Sequence, residues 1–260
     1  MLTTDAMLTT EERREDIIAL LREGTKVRTA ELAKKYGISE VSIRRDLEYL
    51  EMEGHLTRVH GGAVGVGKTY VNMNLTERYK TNSLSKKKLA RALAGIIEDN
   101  DTIIMNSGTT LAYVLHALEG KRNITIVTNS VQNAAEASII PSFNVILLGG
   151  EFDATYQFTH GECAVAQLEN YHAAKCILSV DGISAEAGLT LFYSTEAALV
   201  RKMIDSSLEV IVVADSTKVS RCAFAKITDT RGADILVTNS DAPQDELAKL
   251  EKAGVRVIKA

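Results

Sequence analysis

The spacing of hydrophobic residues changes character along the chain. Up to about residue 64, apolar residues recur three and four positions apart, as in amphipathic helices. Beyond residue 75, short apolar runs alternate with helical stretches, which is typical of a mostly parallel sheet with helices on its faces. We therefore predict a small helical domain over residues 7–64, a linker over 65–75 and a larger α/β domain over 76–260.

Two helices are predicted at the start of the small domain. Thr9 and Glu12 have the spacing of a capping box and precede an apolar stripe, so a first helix begins there. Thr29 opens a second helix. Gly37 follows it as a residue suited to the left-handed conformation that ends helices.

A third helix begins at Ser39, a favourable N-cap residue. Ile43, Leu47 and Leu50 form one apolar stripe along it, and Gly54 ends it. The opposite face near the helix start carries two guanidinium groups and several short side chains, as a helix in the major groove of DNA would. These candidate DNA contacts are Ser39, Glu40, Val41, Ser42, Arg44 and Arg45.

A short basic hairpin is predicted after this helix. Residues 55–59 alternate in polarity, and Gly61 and Gly62 turn the chain. Such a wing would place Arg58 and His60 near the nucleic-acid backbone. Helix, turn, helix and wing together indicate a winged helix-turn-helix; a three-helix module for protein contacts is the alternative.

Overall charge does not by itself indicate a nucleic-acid partner. The formal net charge is -4 and the sequence pI about 5.8. Contact with DNA must therefore depend on a local patch. The basic residues available for it are Arg13, Arg14, Lys34, Lys35, Arg44, Arg45 and Arg58.

In the larger domain, polar groups follow the predicted strands. These strands are 102–105, 124–128, 144–148, 176–180, 210–214, 235–238 and 255–258. The first is followed by residues 106–110 and a helix over 111–118, which suits phosphate binding at a helix N-terminus. Since ligands bind at the carboxyl ends of such strands, we expect a phosphorylated polyol there, with Lys218 near its charge and Asp181 and Asp215 near its hydroxyls.

Several motifs resemble the DeoR family of bacterial transcription regulators. They are Ala30-Glu31-Leu32-Ala33, Gly37-Ile38-Ser39, Ile43-Arg44-Arg45-Asp46-Leu47 and Arg58-Val59-His60-Gly61-Gly62-Ala63, and similarity continues through the C-terminal region. The resemblance implies a winged helix-turn-helix plus a mostly parallel α/β effector domain, similar in fold to ribose-5-phosphate isomerase. It also implies a repressor of a carbohydrate-utilisation operon, controlled by a phosphorylated sugar.

The resemblance also implies a set of effector contacts. Phosphate contacts would fall on Ser107, Gly108, Thr109 and Thr110, and the same pocket would include Thr128, Asn129, Ser130, Gly149, Gly150, Asp181, Gly182 and Lys218. Ser42 and His55 depart from the commoner family pattern, and this difference bears on which operator sequence is read. Asp153 and Ala154 stand where the family often carries an arginine, and this difference bears on which effector is bound.

The implied partners are a double-stranded DNA operator, the sugar phosphate and further copies of the chain, as a dimer or tetramer. We expect no cofactor and no metal, because Cys163, Cys176 and Cys222 lack the paired spacing of a zinc site. No apolar run approaches the roughly 18 residues of a membrane span, and no signal peptide opens the sequence, so we expect a cytoplasmic protein without membrane contact.

Two enzymatic alternatives compete with this interpretation. Gly62, Gly67, Lys68 and Thr69 match the spacing of a nucleotide-binding phosphate loop, but no buried strand precedes them, and a flexible linker explains them better. A sugar-phosphate isomerase would use Asp181 or Glu186 as base and Lys218 as electrophile. The sequence after Asp181 lacks the dense acidic cluster of such isomerases, so we expect no enzyme.

Other charged residues have two interpretations. Lys86 matches a family lysine, and a solvated helix start explains it equally well. Glu196, Arg201 and Lys202 are interpreted as part of an amphipathic helix with a charged face. The spacing of His116, His160 and His172 matches no metal motif, although His160 is a candidate pocket edge.

Overall fold

The structure is a computed structural model that describes residues 8–23, 26–52, 55–65 and 75–260. It divides into two compact units, Met1–Leu84 and Ser85–Ala260. Within the described ranges, every helix is too short or too polar to cross a membrane.

The first unit contains the three predicted helices and the predicted hairpin. Its elements are α1 (Thr10–Glu23), β1 (Lys26–Arg28), α2 (Thr29–Tyr36), α3 (Glu40–Met52), β2 (Leu56–Val59), β3 (Gly62–Gly65) and α4 (Leu75–Lys80). Strand β1 was not predicted. It pairs antiparallel with β3, so the wing is a three-stranded sheet in the order β1-β3-β2.

The predicted helix caps are confirmed. Thr9 and Glu12 exchange hydrogen bonds, with the Thr9 amide donating to Glu12 Oε2 at 2.9 Å and the Glu12 amide donating to Thr9 Oγ1 at 3.3 Å. Gly37 ends α2 with a left-handed φ of 67°. Ser39 Oγ accepts from the Ser42 amide at 3.2 Å. The predicted stop at Gly54 lies outside the described residues, as does most of the predicted 65–75 linker.

The apolar stripe predicted on α3 forms the core of the first unit. Ile43, Leu47 and Leu50 are buried, as are Ile17 of α1 and Leu32 of α2. Burying one such side chain contributes roughly 1.5 to 3 kcal/mol. This core therefore fixes α3 against the first two helices and leaves its opposite face exposed.

The second unit is built on a seven-stranded parallel sheet, to which smaller sheets are added. All strands of the unit, in chain order, are β4 (Thr102–Met105), β5 (Ile124–Thr128), β6 (Phe143–Leu147), β7 (Glu151–Asp153), β8 (Phe158–His160), β9 (Ala173–Ser179), β10 (Gly182–Ser184), β11 (Gly188–Leu191), β12 (Ser207–Val213), β13 (Ala225–Thr228), β14 (Ile235–Thr238) and β15 (Arg256–Lys259). Its helices are α5 (Ser83–Ala94), α6 (Thr109–Ala117), α7 (Val131–Ser138), α8 (Glu162–Gln167), α9 (Ser194–Asp205) and α10 (Gln244–Lys252).

The order of the large sheet, β15-β14-β12-β9-β4-β5-β6, creates a switch point. The chain first proceeds from β4 to β5 and β6 on one side, then returns to β9 on the other side of β4 and continues to β15. All six neighbouring pairs are parallel. In such sheets the crevice beyond the carboxyl ends at the reversal is the usual ligand site, here between β4 and β9.

The seven predicted parallel strands are confirmed. Those at 102–105, 124–128 and 235–238 have the predicted bounds, and the other four are displaced by one to three residues at an end. The sequence did not predict the β7–β8 hairpin or the small antiparallel sheet of β10, β11 and β13. These strands have three or four residues each, and pairing of such short strands depends on tertiary context.

Candidate DNA-binding and ligand-binding sites

The exposed face of α3 carries the predicted DNA contacts. Ser39 caps this helix, and Val41 is 57% exposed. Arg44 and Arg45 are both exposed. Arg45 makes no ion pair within the described part of the chain, so its guanidinium is available to a base edge or a phosphate.

The other two guanidinium groups on this surface are held by carboxylates. Arg44 donates to Glu40 at 2.9 Å on the same helix. Arg58 on β2 donates to Glu51 through both its backbone amide and its Nε, each at 2.7 Å. Exposed pairs of this kind contribute roughly 0 to 1 kcal/mol, so a phosphate can replace the carboxylate at small cost.

A groove of about 590 Å³ lies between α3 and the wing. Arg44, Arg58 and His60 contribute its basic side chains, and Glu51 its acid. His60 is exposed at the wing turn, where Gly61 adopts a φ of 75°. Gly62 lies in β3, where a Cβ would come within 2.0 Å of the Val27 carbonyl oxygen. The other residues of the phosphate-loop motif, Gly67, Lys68 and Thr69, lie outside the described residues.

The predicted basic patch is smaller than expected. Arg13 Nε and Arg14 Nε both donate to Asp46, at 2.8 and 2.9 Å, and Asp46 is only 2% exposed. These two arginines therefore neutralise a buried carboxylate and tie α1 to α3. Lys35 pairs with Asp16 at 2.7 Å in an exposed pair, which a phosphate can replace as it can those of Arg44 and Arg58. The sequence prediction counted Arg13 and Arg14 as available to DNA because it could not pair them.

At the switch point of the large sheet, an asparagine joins two strand ends. Asn106 follows β4, and its side chain donates to the Ser179 carbonyl at 3.0 Å and accepts from the Ser179 amide at 2.9 Å. Asn133 of α7 donates to the Asn106 carbonyl at 3.2 Å. These bonds fix the backbone immediately before the predicted phosphate contacts.

The turn after Asn106 leads directly into α6. Gly108 has a φ of 146°, and a Cβ there would lie 2.7 Å from Ser179 Cβ, so the position requires glycine. The helix begins at Thr109, two residues earlier than predicted. Thr109 and Thr110 therefore lie in its first turn, where the helix dipole favours an anion.

Two lysines lie buried at this edge of the sheet. Lys86 is 1% exposed and donates from Nζ to Thr109 Oγ1 at 2.9 Å. The interpretation of Lys86 as a solvated helix start is therefore wrong. Lys218 is 5% exposed, and its Nζ lies 3.5 Å from Asp181 Oδ1, so these two predicted residues are brought together.

The structure also places Glu196 in the site, which the sequence prediction missed. Glu196 is 3% exposed and accepts from the Ser107 amide at 3.3 Å and from Asn129 Nδ2 at 3.0 Å. Burial raises the pKa of this carboxyl group, the hydrogen bonds from Asn129 and Ser107 lower it, and the charge of Asp181 raises it further. The expectation that Glu196 belongs to a charged outer face is wrong.

The predicted residues after β5 form a tightly bonded turn. Ser130 caps α7 by accepting from the Asn133 amide at 3.2 Å, and Thr128 Oγ1 accepts from the Ser130 amide at 3.1 Å. Asn129 donates to both Glu196 and the Thr159 carbonyl. Thus Asn129 reaches the Ser107 turn through Glu196, and Thr128 and Ser130 shape the backbone.

The remaining predicted glycines contact other parts of the unit. The Gly149 amide donates to Gln167 at 3.0 Å. Gly150, with a φ of 140°, lies where a Cβ would be 2.4 Å from the His160 carbonyl oxygen. Gly182 begins β10, where a Cβ would meet the Arg221 carbonyl oxygen at 2.5 Å. Close backbone approach explains Gly150 and Gly182.

The other polar candidates have local partners. Asp215 caps the short turn Ser216–Lys218 by accepting from the Thr217 amide at 3.0 Å. His116 lies 3.3 Å from Glu119 and 3.2 Å from Glu136. His160 packs beside Phe158 with ring centroids 5.8 Å apart. His172 is exposed.

The fold defines a class of protein: a winged helix-turn-helix unit joined in one chain to a parallel α/β unit with a glycine turn and a helix N-terminus at its switch point. Residues 13–69 match the family model "DeoR-like helix-turn-helix domain", and residues 81–240 match "DeoR C terminal sensor domain". The chain belongs to the DeoR family. It is a DNA-binding transcriptional regulator and not an enzyme.

Relatives match along almost the whole chain. The "Putative aga operon transcriptional repressor" of Escherichia coli O157:H7 is 33% identical, and the match covers 96% of this chain and 93% of the relative's length. "HTH-type transcriptional regulator GolR" of Listeria innocua is 32% identical, and the match covers 95% of this chain and 97% of the relative's length. Ribose 5-phosphate isomerase A from Neisseria gonorrhoeae has a TM-score of 0.38 at 16% identity, over 52% of each chain.

Proposed function

We propose that this protein represses a carbohydrate-utilisation operon and responds to a phosphorylated sugar. Residues 7–64 form the DNA-binding domain, residues 65–75 the linker and residues 76–260 the effector and oligomerisation domain. The observation that carries the effector assignment is the Ser107–Thr110 turn, which combines a helix N-terminus with the buried Lys86 ammonium on Thr109. Two relatives support the regulatory assignment: "HTH-type transcriptional repressor GlcR" of Bacillus subtilis and the "Glycerol-3-phosphate regulon repressor" of Escherichia coli.

On the DNA side, α3 enters the major groove and the wing follows the backbone. The proposed contacts are Ser39, Glu40, Val41, Ser42, Arg44, Arg45, Arg58 and His60. Because Arg45 has no carboxylate partner in the described structure, it is the proposed base reader. When DNA binds, Arg44 leaves Glu40 and Arg58 leaves Glu51, and each guanidinium group pairs with a phosphate of the DNA backbone.

On the effector side, phosphate binds at Ser107, Gly108, Thr109 and Thr110. Lys86 and Lys218 supply positive charge, and Asp181 accepts from sugar hydroxyls. Thr128, Asn129, Ser130, Gly149, Gly150 and Gly182 form the surrounding backbone. Two copies of the chain place two recognition helices about one helical turn apart on a palindromic operator, as a dimer or within a tetramer.

The test is a fluorescence-anisotropy titration of the full chain on DNA from its own promoter region, with a shuffled duplex of equal length as the control. We expect salt-sensitive, sequence-selective binding that one member of a panel of sugar phosphates alters, while the corresponding free sugar does not. Equal affinity for both duplexes would overturn the operator assignment. Selective binding that no sugar phosphate changes would overturn the effector assignment.

A further inference from the structure

The proposed phosphate-binding turn, Ser107–Thr110, already contacts a carboxyl group of the protein. Glu196 Oε1 lies 3.3 Å from the Ser107 amide nitrogen and accepts its hydrogen bond. The carboxylate comes from α9, far along the chain from the turn, and the side chain is nearly fully buried. A carboxylate of the protein thus occupies an amide at which the proposed phosphate would bind.

Carboxylate and phosphate oxygens both accept strong hydrogen bonds from backbone amides, and two anions at one amide repel each other. We propose that Glu196 is an internal competitor of the ligand: in the unliganded protein it occupies the Ser107 amide, and an incoming phosphate displaces it and moves the start of α9. This inference rests on the proposed phosphate site at Ser107–Thr110.

Asn129 favours the replacement of the Glu196 carboxylate by a phosphate. Its Nδ2 donates to Glu196 at 3.0 Å and also to the Thr159 carbonyl at 2.9 Å, so β8 holds the amide in place when the carboxylate leaves. The same Nδ2 then remains directed at the vacated position, where a phosphate oxygen can accept from it. Burial also raises the pKa of Glu196, because an ionised carboxylate is less stable there than in water.

The displaced residue lies where its movement can reach other elements. Glu196 is in the first turn of α9, and Tyr193 is the N-cap residue of this helix. The Tyr193 ring lies 4.5 Å from the Tyr156 ring, which belongs to the connection between β7 and β8. Release of Glu196 therefore frees the N-terminal end of α9, and the Tyr156–Tyr193 contact transmits the change to the hairpin.

The test uses inorganic phosphate as the probe, titrated calorimetrically into the full chain at constant ionic strength. Glu196→Gln removes the charge, and the amide oxygen can still accept from Ser107 and Asn129. Glu246→Gln is the matched control, since Glu246 is 5% exposed and accepts from the Ala185 amide at 2.7 Å. Gly108→Ala, which blocks the turn, reports on the site itself.

We expect Glu196→Gln to bind phosphate roughly tenfold or more tightly than the wild type, Glu246→Gln to match the wild type, and Gly108→Ala to lose binding. Unchanged or weaker binding by Glu196→Gln, with binding still lost in Gly108→Ala, would overturn the competitor role alone. Wild-type affinity in Gly108→Ala, or no binding by any variant, would overturn the phosphate site.

A second measurement requires no variant. Hydrogen exchange of the wild-type chain should show faster exchange at residues 194–199 when phosphate is added, because the start of α9 loses its contact with the turn. Glu196→Gln should show a smaller phosphate-dependent change. Unchanged or slower exchange at these residues in the phosphate-bound wild type would contradict displacement.

Discussion

Asn106 and Ser179 exchange two hydrogen bonds across the switch point of the large sheet, at 3.0 and 2.9 Å. One side chain thereby joins the carboxyl ends of β4 and β9, which are neighbours in space and distant in sequence. These bonds fix the end of β4 immediately before Gly108. The proposed effector site thus depends on a residue that need not touch the effector.

Replacement of Asn106 by alanine should therefore damage both stability and the effector response. It leaves the Ser179 amide and carbonyl without their partner, so we expect the second unit to lose roughly 2 to 4 kcal/mol of unfolding free energy. Asn170→Ala, which removes an exposed bond to Gln167, should cost less than about 1 kcal/mol. Urea denaturation measures both, and equal losses would contradict the bridging role.

Gly108→Ala should lower the free energy of unfolding more than Gly120→Ala, because Gly120 lies in open space. Gly108 and Gly120 both have a positive φ, and a Cβ at Gly120 meets nothing within 4 Å. Backbone strain costs roughly 1 to 3 kcal/mol at either position, and the clash with Ser179 adds roughly 1 to 3 kcal/mol at Gly108. Thermal and urea unfolding of the two variants check the difference; equal stability would mean that the turn has room for a side chain.

Asp46 should be the most sensitive carboxylate of the first unit. It is buried between Arg13 and Arg14, and Asp46→Ala leaves both guanidinium groups without their partner. We expect a loss of roughly 3 to 5 kcal/mol. Asp16→Ala breaks an exposed pair with Lys35 and should cost roughly 0 to 1 kcal/mol. Equal losses for the two variants, measured by the unfolding of residues 7–64, would refute the structural role of the Asp46 cluster.

Glu51→Gln should strengthen non-specific DNA binding. The change leaves the wing sheet intact and removes the carboxylate that Arg58 must leave before it binds a phosphate, so DNA affinity should rise at every salt concentration. The slope of log affinity against log salt concentration should stay the same, because Arg58 neutralises a phosphate in both proteins. Glu251→Gln on α10 makes the same change in net charge and should not alter the affinity. A shallower slope for Glu51→Gln would show that Glu51 positions Arg58 for DNA.

Stability should depend on pH through Glu196. Its pKa is raised in the folded state, so the folded protein binds more protons than the unfolded chain above about pH 4.5, the ordinary value of the group. Wild-type stability should consequently fall as pH rises from that value toward the folded-state pKa. The difference in unfolding free energy between Glu196→Gln and the wild type should grow over this interval. A difference independent of pH would show that folding does not raise the pKa of Glu196.

The sequence predicted those elements whose pattern is set by burial. Strands 102–105, 124–128 and 235–238 have the observed bounds because both faces of the sheet are covered, and their residues form continuous apolar runs. The helix start at Thr109 was missed by two residues. The two threonines looked like turn residues, and the chain enters α6 directly from Gly108.

The burial of Glu196 and Lys86 was not predicted, although their spacing contains a signal. Glu196 lies in register with Val200 and Met203, and Lys86 with Ala90 and Leu93, each at i, i+4 and i+7 on an otherwise apolar stripe. A charged residue in such a register is buried and must have a partner. That partner is set by the tertiary fold, so the bonds of Glu196 to Ser107 and of Lys86 to Thr109 could not be predicted.

The most direct test of a sugar-phosphate-responsive repressor is one anisotropy titration on promoter DNA, with and without the active sugar phosphate, for three proteins. The wild type should bind and respond. Thr109→Ala combined with Lys218→Ala should bind DNA with wild-type affinity and show no response. Arg45→Ala should lose roughly 1 to 3 kcal/mol of operator affinity and still bind the sugar phosphate. A retained response in the double variant would place the effector elsewhere, and unchanged operator affinity in Arg45→Ala would contradict the assignment of α3.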